Sequence, residues 1–100
     1  MVYTTHTYYS GKNGGARKFA EEMISGGIAD AIRKQSGSLR YEFFLPIDDS
    51  ETVLLIDSWD DQALSDDGHN SSETVARIVE LREKYKLQTT FERYIRDEEK

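Results

Sequence analysis

Two histidines are the side chains best suited to acid–base chemistry in this sequence. His6 lies in an N-terminal stretch rich in Tyr and Thr, and His69 lies just before a second amphipathic segment. An imidazole with an unperturbed pKa of about 6.5 can accept a proton at neutral pH. A substrate for such a base needs an acidic proton. His69 and His6 are therefore alternative candidates for a catalytic base, and the sequence leaves the choice between them open.

Aromatic residues could form a pocket for a substrate of that kind. The single tryptophan, together with two tyrosines, would offer flat apolar walls with polar tips. Two further residues stand on the apolar stripe of a predicted helix and could complete the wall. For each of these residues, packing in a hydrophobic core is the alternative interpretation. The predicted substrate-binding residues are Trp59, Tyr41, Tyr8, Phe19 and Met23.

Other kinds of site find little support in the sequence. There is no cysteine, and the two histidines stand about sixty residues apart, so neither a thiol nucleophile nor a metal site is predicted. The glycine-rich loop at residues 10–15 lacks the spacing of known phosphate-binding loops and is interpreted as a connection. Asp57 stands among apolar strand residues, and we expect it to pair with Arg40 or Arg93 across a sheet.

Length and charge limit the class of protein. The chain of 100 residues fits one domain, residues 1–100, and its formal net charge of −6 argues against nucleic acid or an anionic membrane as partner. No apolar run reaches the ~18 residues that a membrane span needs, and the N-terminus lacks a signal-peptide pattern. These features predict a soluble, cytoplasmic protein.

The hydrophobic pattern predicts four strands and two helices. Alternating or β-branched segments predict strands at residues 2–9, 39–45, 52–59 and 87–96. A stripe at helical spacing predicts a helix over residues 16–35, with a kink or close approach at Gly26 and Gly27. Residues 60–71 are polar and predicted to be irregular, with a short helical turn at Ala63 and Leu64 as the alternative. A second helix is predicted from a cap at Asn70 or Ser71 to about Lys86.

This order of elements predicts an α+β fold. A ferredoxin-like βαββαβ arrangement places both helices on one face of a four-stranded antiparallel sheet. In the third strand Val53 and Leu55 point one way and Leu54 and Ile56 the other, so both sheet faces need cover. A second copy of the chain, packed sheet against sheet, would cover the open face and make a homodimer. That face is expected to carry some of Leu54, Ile56, Phe44, Phe91 and Ile95.

Four motifs in this order resemble the antibiotic biosynthesis monooxygenase (ABM) family, especially its small, quinol-monooxygenase-like members. They are Gly-Ser-Leu-Arg-Tyr-Glu-Phe-Phe at 37–44, Val-Leu-Leu-Ile-Asp-Ser-Trp-Asp-Asp at 53–61, a histidine before the second helix, and Phe-Glu-Arg-Tyr at 91–94. The resemblance implies a dimeric α+β barrel with a pocket between sheet and helices in each subunit. It also implies oxygenation of quinol-like or polycyclic phenolic substrates without metal or flavin.

The resemblance also assigns roles to single residues. Tyr41 and Trp59 match the strand aromatics of the family, and His69 matches its histidine, one residue further from Trp59 than usual. His6 stands where relatives often carry asparagine. The haem-degrading branch is disfavoured because the second helix has no histidine. The function implied is a cofactor-independent monooxygenase, with no cofactor and a small aromatic or quinol-like ligand.

A non-catalytic ligand-binding or stress-associated dimer on the same fold is the alternative function. A closed cavity with a histidine pointing into it would favour the enzyme. A pocket filled by Met23, Phe19 and Tyr41 would favour the alternative.

Overall fold

The computed structural model describes the backbone of residues 1–69 and 72–97 and the side chains of residues 1–65 and 73–97. It shows an α+β fold with four strands and four α-helices. None of the helices in these ranges is long and apolar enough to span a lipid bilayer. The strands are β1 (Tyr3–Ser10), β2 (Ser38–Phe44), β3 (Thr52–Trp59) and β4 (Gln88–Ile95). The helices are α1 (Gly15–Ser25), α2 (Ile28–Arg33), α3 (Gln62–His69) and α4 (Ser72–Lys84), and a 3₁₀ turn at Lys12–Gly14 precedes α1.

The four strands form one antiparallel sheet in the order β2-β3-β1-β4, which confirms the predicted ferredoxin-like arrangement. The two central strands pair along their whole length, from Tyr3 opposite Trp59 to Ser10 opposite Thr52. On its other side β1 pairs with β4, with Tyr3 opposite Ile95. The central strands therefore hold the residues that the helices cover.

One face of the sheet and the inner faces of α1 and α2 form the hydrophobic core. On β3 the buried residues alternate with half-buried ones, as expected for a strand covered more completely on one side. The helices pack mainly against β1, β2 and β3. The buried apolar residues are Tyr9, Ala16, Phe19, Ala20, Met23, Ile28, Ala29, Ile32, Tyr41, Val53, Leu55 and Trp59.

The opposite face of the sheet is open in the single chain. Leu54 and Ile56 lie there half-buried, and Phe44 is 38% exposed. Two of the five residues considered for this face, Phe91 and Ile95, lie instead on the helix-facing side. They pair with Thr7 and Tyr3, which belong to the row of β1 that faces the helices. Both remain about 60% exposed (63% and 60%). The helix layer thus leaves the outer strand β4 largely uncovered.

The glycine pair interrupts the first helix, as the sequence predicts. Gly27 has φ of +78°, a left-handed conformation that ends α1 and precedes α2. After the break Ala29 is buried in α2 and Ala31 is exposed, whereas Ile24, near the end of α1, is 51% exposed. The predicted stripe is therefore correct from Ala16 to Met23 and at Ile28 and Ile32, and wrong at Ile24 and Ala31.

Two local predictions are wrong. Residues 60–71 are mostly helical and not irregular. The turn considered at Ala63 and Leu64 is part of the longer helix α3, which begins at Gln62, where the Asp61 carboxylate accepts a hydrogen bond from the Leu64 amide at 2.9 Å. In β2 a bulge between Ser38 and Arg40 breaks the alternation. Leu39 is consequently 53% exposed, although the pattern placed it with Tyr41.

Candidate functional site

A buried carboxylate and the single tryptophan lie together on the helix-facing side of β3. The indole Nε1 of Trp59 donates a hydrogen bond to Oδ1 of Asp57 at 2.7 Å. Both side chains are almost fully enclosed, with 1% and 3% exposure. Residues two apart on a strand share a face, so the strand geometry brings the two side chains together. The hydrogen bond fixes the orientation of the carboxylate in a water-poor environment.

Two buried tyrosines surround this pair. Tyr41 stands opposite Asp57 in the β2–β3 register, and Tyr9 is the inward residue of β1 near the same core. Burial raises the pKa of Tyr9 to about 12; nearby Arg82 opposes the increase and Asp57 adds to it. Burial, followed by the proximity of Tyr9 and Asp57, raises the pKa of Tyr41 well above its ordinary value. Both phenols are therefore protonated at neutral pH and can donate hydrogen bonds.

Two arginines reach this region from the helices. The Arg33 guanidinium of α2 donates through Nε to the Tyr41 carbonyl oxygen at 2.9 Å. The Arg82 side chain of α4 lies close enough to Tyr9 to favour its ionised form. Its Nε is buried and finds no hydrogen-bond partner among the described residues. Arg82 thus brings positive charge, and a donor able to take a ligand oxygen, to the edge of the cluster.

Four of the predicted pocket residues lie in this region. Phe19 and Met23 of α1 are completely buried, at 0% exposure, and Tyr41 and Trp59 belong to the same core. The Phe19 ring packs against Tyr9, with 4.6 Å between centroids, and Phe43 joins Phe19 to Tyr41 through edge-to-face contacts. In the described structure these side chains fill the space between sheet and helices. The arrangement matches the filled pocket that the alternative function requires.

The structure places His6 and Tyr8 on the opposite, open face of the sheet. The His6 ring packs on Tyr94 with 5.1 Å between centroids, and its Nδ1 lies 4.0 Å from a Glu92 carboxylate oxygen. The Tyr8 hydroxyl donates to the same carboxylate at 2.9 Å. The sheet therefore separates these two residues from Trp59 and the core aromatic residues.

His69 is the last residue of α3, and its side chain lies outside the described residues. The predicted helix caps, Asn70 and Ser71, lie outside them as well. α3 packs against β3, the strand that carries Asp57 and Trp59. The role of His69 as a base stays a prediction.

Sequence reasoning missed three members of the cluster. The sequence favours Tyr9 as a strand former, Arg82 as one residue of a helix face, and Asp57 as an ion-pair partner. The structure places Arg40 on the open face, where its guanidinium contacts Glu42, so pairing of Arg40 with Asp57 is ruled out. Arg93 stands in the same cross-strand row as Asp57, opposite Thr5. The sequence feature that indicates this pair is the two-residue spacing of Asp57 and Trp59, which places a carboxylate and an indole on the same face of a strand.

Comparisons with known proteins agree with this fold. A candidate antibiotic biosynthesis monooxygenase from Deinococcus radiodurans is 18% identical, with a TM-score of 0.83 over 99% of this chain and 95% of that one. SnoaB, a cofactor-independent oxygenase from Streptomyces nogalater, is 12% identical in its N63A mutant structure, with a TM-score of 0.79 over 98% and 95% of the two chains. A search of curated protein sequences gave no match.

These structural similarities, at identities below 20%, establish a shared fold. The family comparison goes further, because the sequence model for antibiotic biosynthesis monooxygenase matches residues 2–81. That range includes β1, β2 and β3 and the Asp57–Trp59 pair. The chain therefore belongs to the antibiotic biosynthesis monooxygenase family.

Proposed function

We propose that this protein is a cofactor-independent monooxygenase that oxidises a quinol-like or polycyclic phenolic substrate with O₂. The observation that carries the proposal is the buried Asp57–Trp59 pair flanked by two protonated tyrosines, in a chain of this family. An oriented carboxylate, hydrogen-bond donors and aromatic walls are what a phenolic substrate needs.

The chemistry places few demands on the protein. Removal of the phenolic proton gives an electron-rich anion, which can transfer an electron to O₂. For a substrate with an activated methylene, the CH₂ group becomes C=O. One oxygen atom enters the product, and the other leaves as water with the two methylene hydrogens. All four electrons that reduce O₂ come from the substrate, so the balance requires no external reductant.

In this proposal each residue of the cluster has a separate task. Asp57, held by the Trp59 indole, or His69 from the end of α3, accepts the phenolic proton. Tyr9 and Tyr41, protonated at neutral pH, donate hydrogen bonds to the resulting oxyanion. The Trp59 ring positions the aromatic substrate. Because Phe19 and Met23 now occupy the interior, substrate entry requires these side chains to move.

Oxygen consumption with a panel of hydroquinones and anthrone-like phenols tests the activity. With ¹⁸O₂, we expect one labelled oxygen atom in the product and the other in water, with no hydrogen peroxide. Spontaneous oxidation of the same phenols without protein sets the background. Uptake no faster than this background across the panel would refute the proposed activity.

A pair of histidine variants separates the two predicted bases. His69→Gln should reduce turnover by roughly 10²–10⁴-fold if His69 is the general base, whereas His6→Gln, on the opposite sheet face, should leave turnover within about twofold. Asp57→Asn tests the alternative base in the core. Full activity in both His69→Gln and Asp57→Asn would contradict both assignments.

The second candidate function is a non-catalytic, small-ligand-binding dimer. The complete burial of Phe19 and Met23 favours it, because the site holds side chains where the enzyme needs substrate. Trp59 is the single tryptophan, so its fluorescence reports directly on this region. Saturable quenching by a phenolic ligand without oxygen uptake would support this function over the enzyme.

The proposal includes a homodimer formed through the open sheet face. Leu54, Ile56 and Phe44 provide apolar surface there, and Tyr94, 47% exposed, lies on the same face of the sheet on the outer strand β4. A sheet with one apolar face uncovered is expected to pack against another sheet. Light scattering at micromolar concentration should give about twice the mass of one chain, and a monomer would contradict this part of the proposal.

A further inference from the structure

We propose that a groove at the end of the sheet, away from the Asp57–Trp59 cluster, binds a small polyanion. The groove has a volume of about 760 Å³ and is formed where β1 leads into α1 and where α4 leads into β4. This volume falls within the range of about 300–1,000 Å³ typical of small-molecule sites. Four of its lining residues are lysines: Lys12, Lys18, Lys84 and Lys86.

The positive charge of this groove opposes the charge of the whole chain. Four ammonium groups and one carboxylate, that of Glu51, line it, whereas the chain has a formal net charge of −6. The Lys84 ammonium is held by Glu22 at 2.8 Å. Lys12, Lys18 and Lys86 make no ion pair with another described residue. Three cations are thus available to neutralise a ligand.

Two glycines fix the walls of the groove. A Cβ at Gly11 would lie 2.5 Å from Cδ2 of Leu87, and one at Gly15 would lie 3.3 Å from the Tyr85 carbonyl oxygen. The loop before α1 and the turn after α4 therefore pack backbone to side chain with little space between them. The backbones that carry Lys12 and Lys86 are therefore packed together, so binding orders the lysine side chains without having to bring the two segments together.

Lys86 occupies a backbone conformation that usually selects glycine. It follows α4 with φ of +53°, and the next residue, Leu87, donates its amide hydrogen bond to the Arg82 carbonyl oxygen at 3.0 Å. This is the helix-ending position at which glycine is commonest. Asn13 has φ of +58°, and these are the two non-glycine residues with positive φ in the described chain. Both line the groove, where unfavourable backbone conformations often accompany function.

The groove fits a small ligand better than an extended polyanion. α1 begins at Gly15 on its wall, so the partial positive charge of the helix N-terminus adds to that of the lysines. A long nucleic acid would extend past the groove onto a surface that carries excess acidic charge. The ligand class is therefore a small molecule with two or more anionic oxygen groups, from either a phosphate ester or a polycarboxylate.

Calorimetric titration of the full chain with inorganic pyrophosphate and with citrate tests this site. At low ionic strength we expect saturable binding of at least one of them, one ligand per chain, weakening at about 0.15 M salt. The tighter of the two identifies the phosphate or carboxylate source. Absence of binding by both ligands would overturn the proposal, as would tighter binding of a DNA oligomer than of either ligand.

Substitutions locate the binding. Lys12→Gln with Lys86→Asn should weaken binding by roughly 100-fold, about tenfold for each charge-assisted hydrogen bond removed. Lys34→Gln with Arg96→Gln, an equal change of charge at two exposed positions outside the groove, should change binding by less than about twofold. Equal losses of affinity in the two proteins would overturn the assignment, because the effect would then come from net charge.

Lys86→Gly separates a binding role from a structural one. Glycine relieves the left-handed strain, so the midpoint of thermal unfolding should rise by roughly 4 °C. Pyrophosphate or citrate affinity should nevertheless fall about tenfold, because the charge is removed. Unchanged affinity in this folded variant would overturn the role of Lys86. None of these outcomes depends on the proposed oxygenase activity.

Discussion

Replacing the single tryptophan should reveal how strongly the buried carboxylate depends on it. Trp59→Phe removes the Nε1 donor that contacts Asp57 at 2.7 Å and leaves an aromatic ring in the core. A hydrogen bond to a charged group contributes about 1.5–3 kcal/mol. The smaller ring leaves unfilled space that costs about 1–1.5 kcal/mol more. We therefore expect the free energy of unfolding to fall by about 3–4 kcal/mol.

A double-mutant cycle isolates the hydrogen bond from the packing loss. Asp57→Asn keeps the shape and an acceptor oxygen but removes the charge, so Trp59→Phe should be less harmful in that background. The expected coupling energy is about 1 kcal/mol. Urea unfolding followed by far-UV circular dichroism measures it, at one protein concentration throughout, because the variant has no tryptophan fluorescence.

A control cycle uses a distant residue of the same strand. Val53 is fully buried, four residues from Asp57 on β3 and about 13 Å away at the strand rise of ~3.3 Å per residue. Val53→Ala and Asp57→Asn should therefore be additive within about 0.5 kcal/mol. If the Asp57–Trp59 coupling is no larger than this control, the indole does not stabilise the carboxylate and the proposed orientation of Asp57 fails.

Four further substitutions test the core, two glycine positions and the open face. Burial raises the pKa of Tyr9 from about 10 to about 12. The protonated phenol should therefore add about 2.7 kcal/mol to the free energy of unfolding below pH 10, and this contribution should be lost as the pH rises to 12. Alkaline unfolding curves should accordingly be flatter in this range for Tyr9→Phe. Gly27→Ala, with φ of +78° and open space around it, should cost about 1–2 kcal/mol in urea unfolding. Gly37→Ala should cost at least about 1 kcal/mol more, because its Cβ would also lie 2.4 Å from Cδ1 of Leu64. Leu54→Glu should shift light-scattering mass to one chain without loss of helical signal, because it places charge on the proposed dimer face.

The sheet and its two faces could be predicted because strand periodicity is a local property. Alternation along residues 52–59 separates Val53 and Leu55 from Leu54 and Ile56, and the structure keeps that separation. The bulge at Ser38/Arg40 depends instead on pairing between two strands, so alternation in one strand could not reveal it. The length of α3 could not be predicted beyond a turn at Ala63 and Leu64, because its polar composition resembles a loop, although Asp61 caps the helix.

The site could be predicted only in part, for a related reason. Periodicity places His6 and Tyr8 together on β1, but it does not say which side of β3 shares their face. That relation depends on the register, which sets His6 opposite Ile56 rather than beside Trp59. A shift of one residue would move every side chain of the strand to the other face. Strand pairing therefore places His6 and Tyr8 on one face of the sheet and the predicted pocket residues Tyr41 and Trp59 on the other.

The core of this small domain and its candidate active site use the same side chains. Moving Phe19 and Met23 aside to admit a substrate forfeits apolar burial of about 1.5–3 kcal/mol for each side chain. A ligand must offset this loss with its own apolar surface, so a polycyclic phenol should bind far better than a single-ring hydroquinone. At about 25 cal/mol per Å², the loss equals the burial of roughly 120–240 Å² of ligand. A flat molecule of two or three fused rings exceeds that area, whereas a single ring, at about 150–250 Å², at best just balances the loss. Equal affinity for one-ring and three-ring phenols, read from Trp59 fluorescence, would show that the ligand does not enter this core.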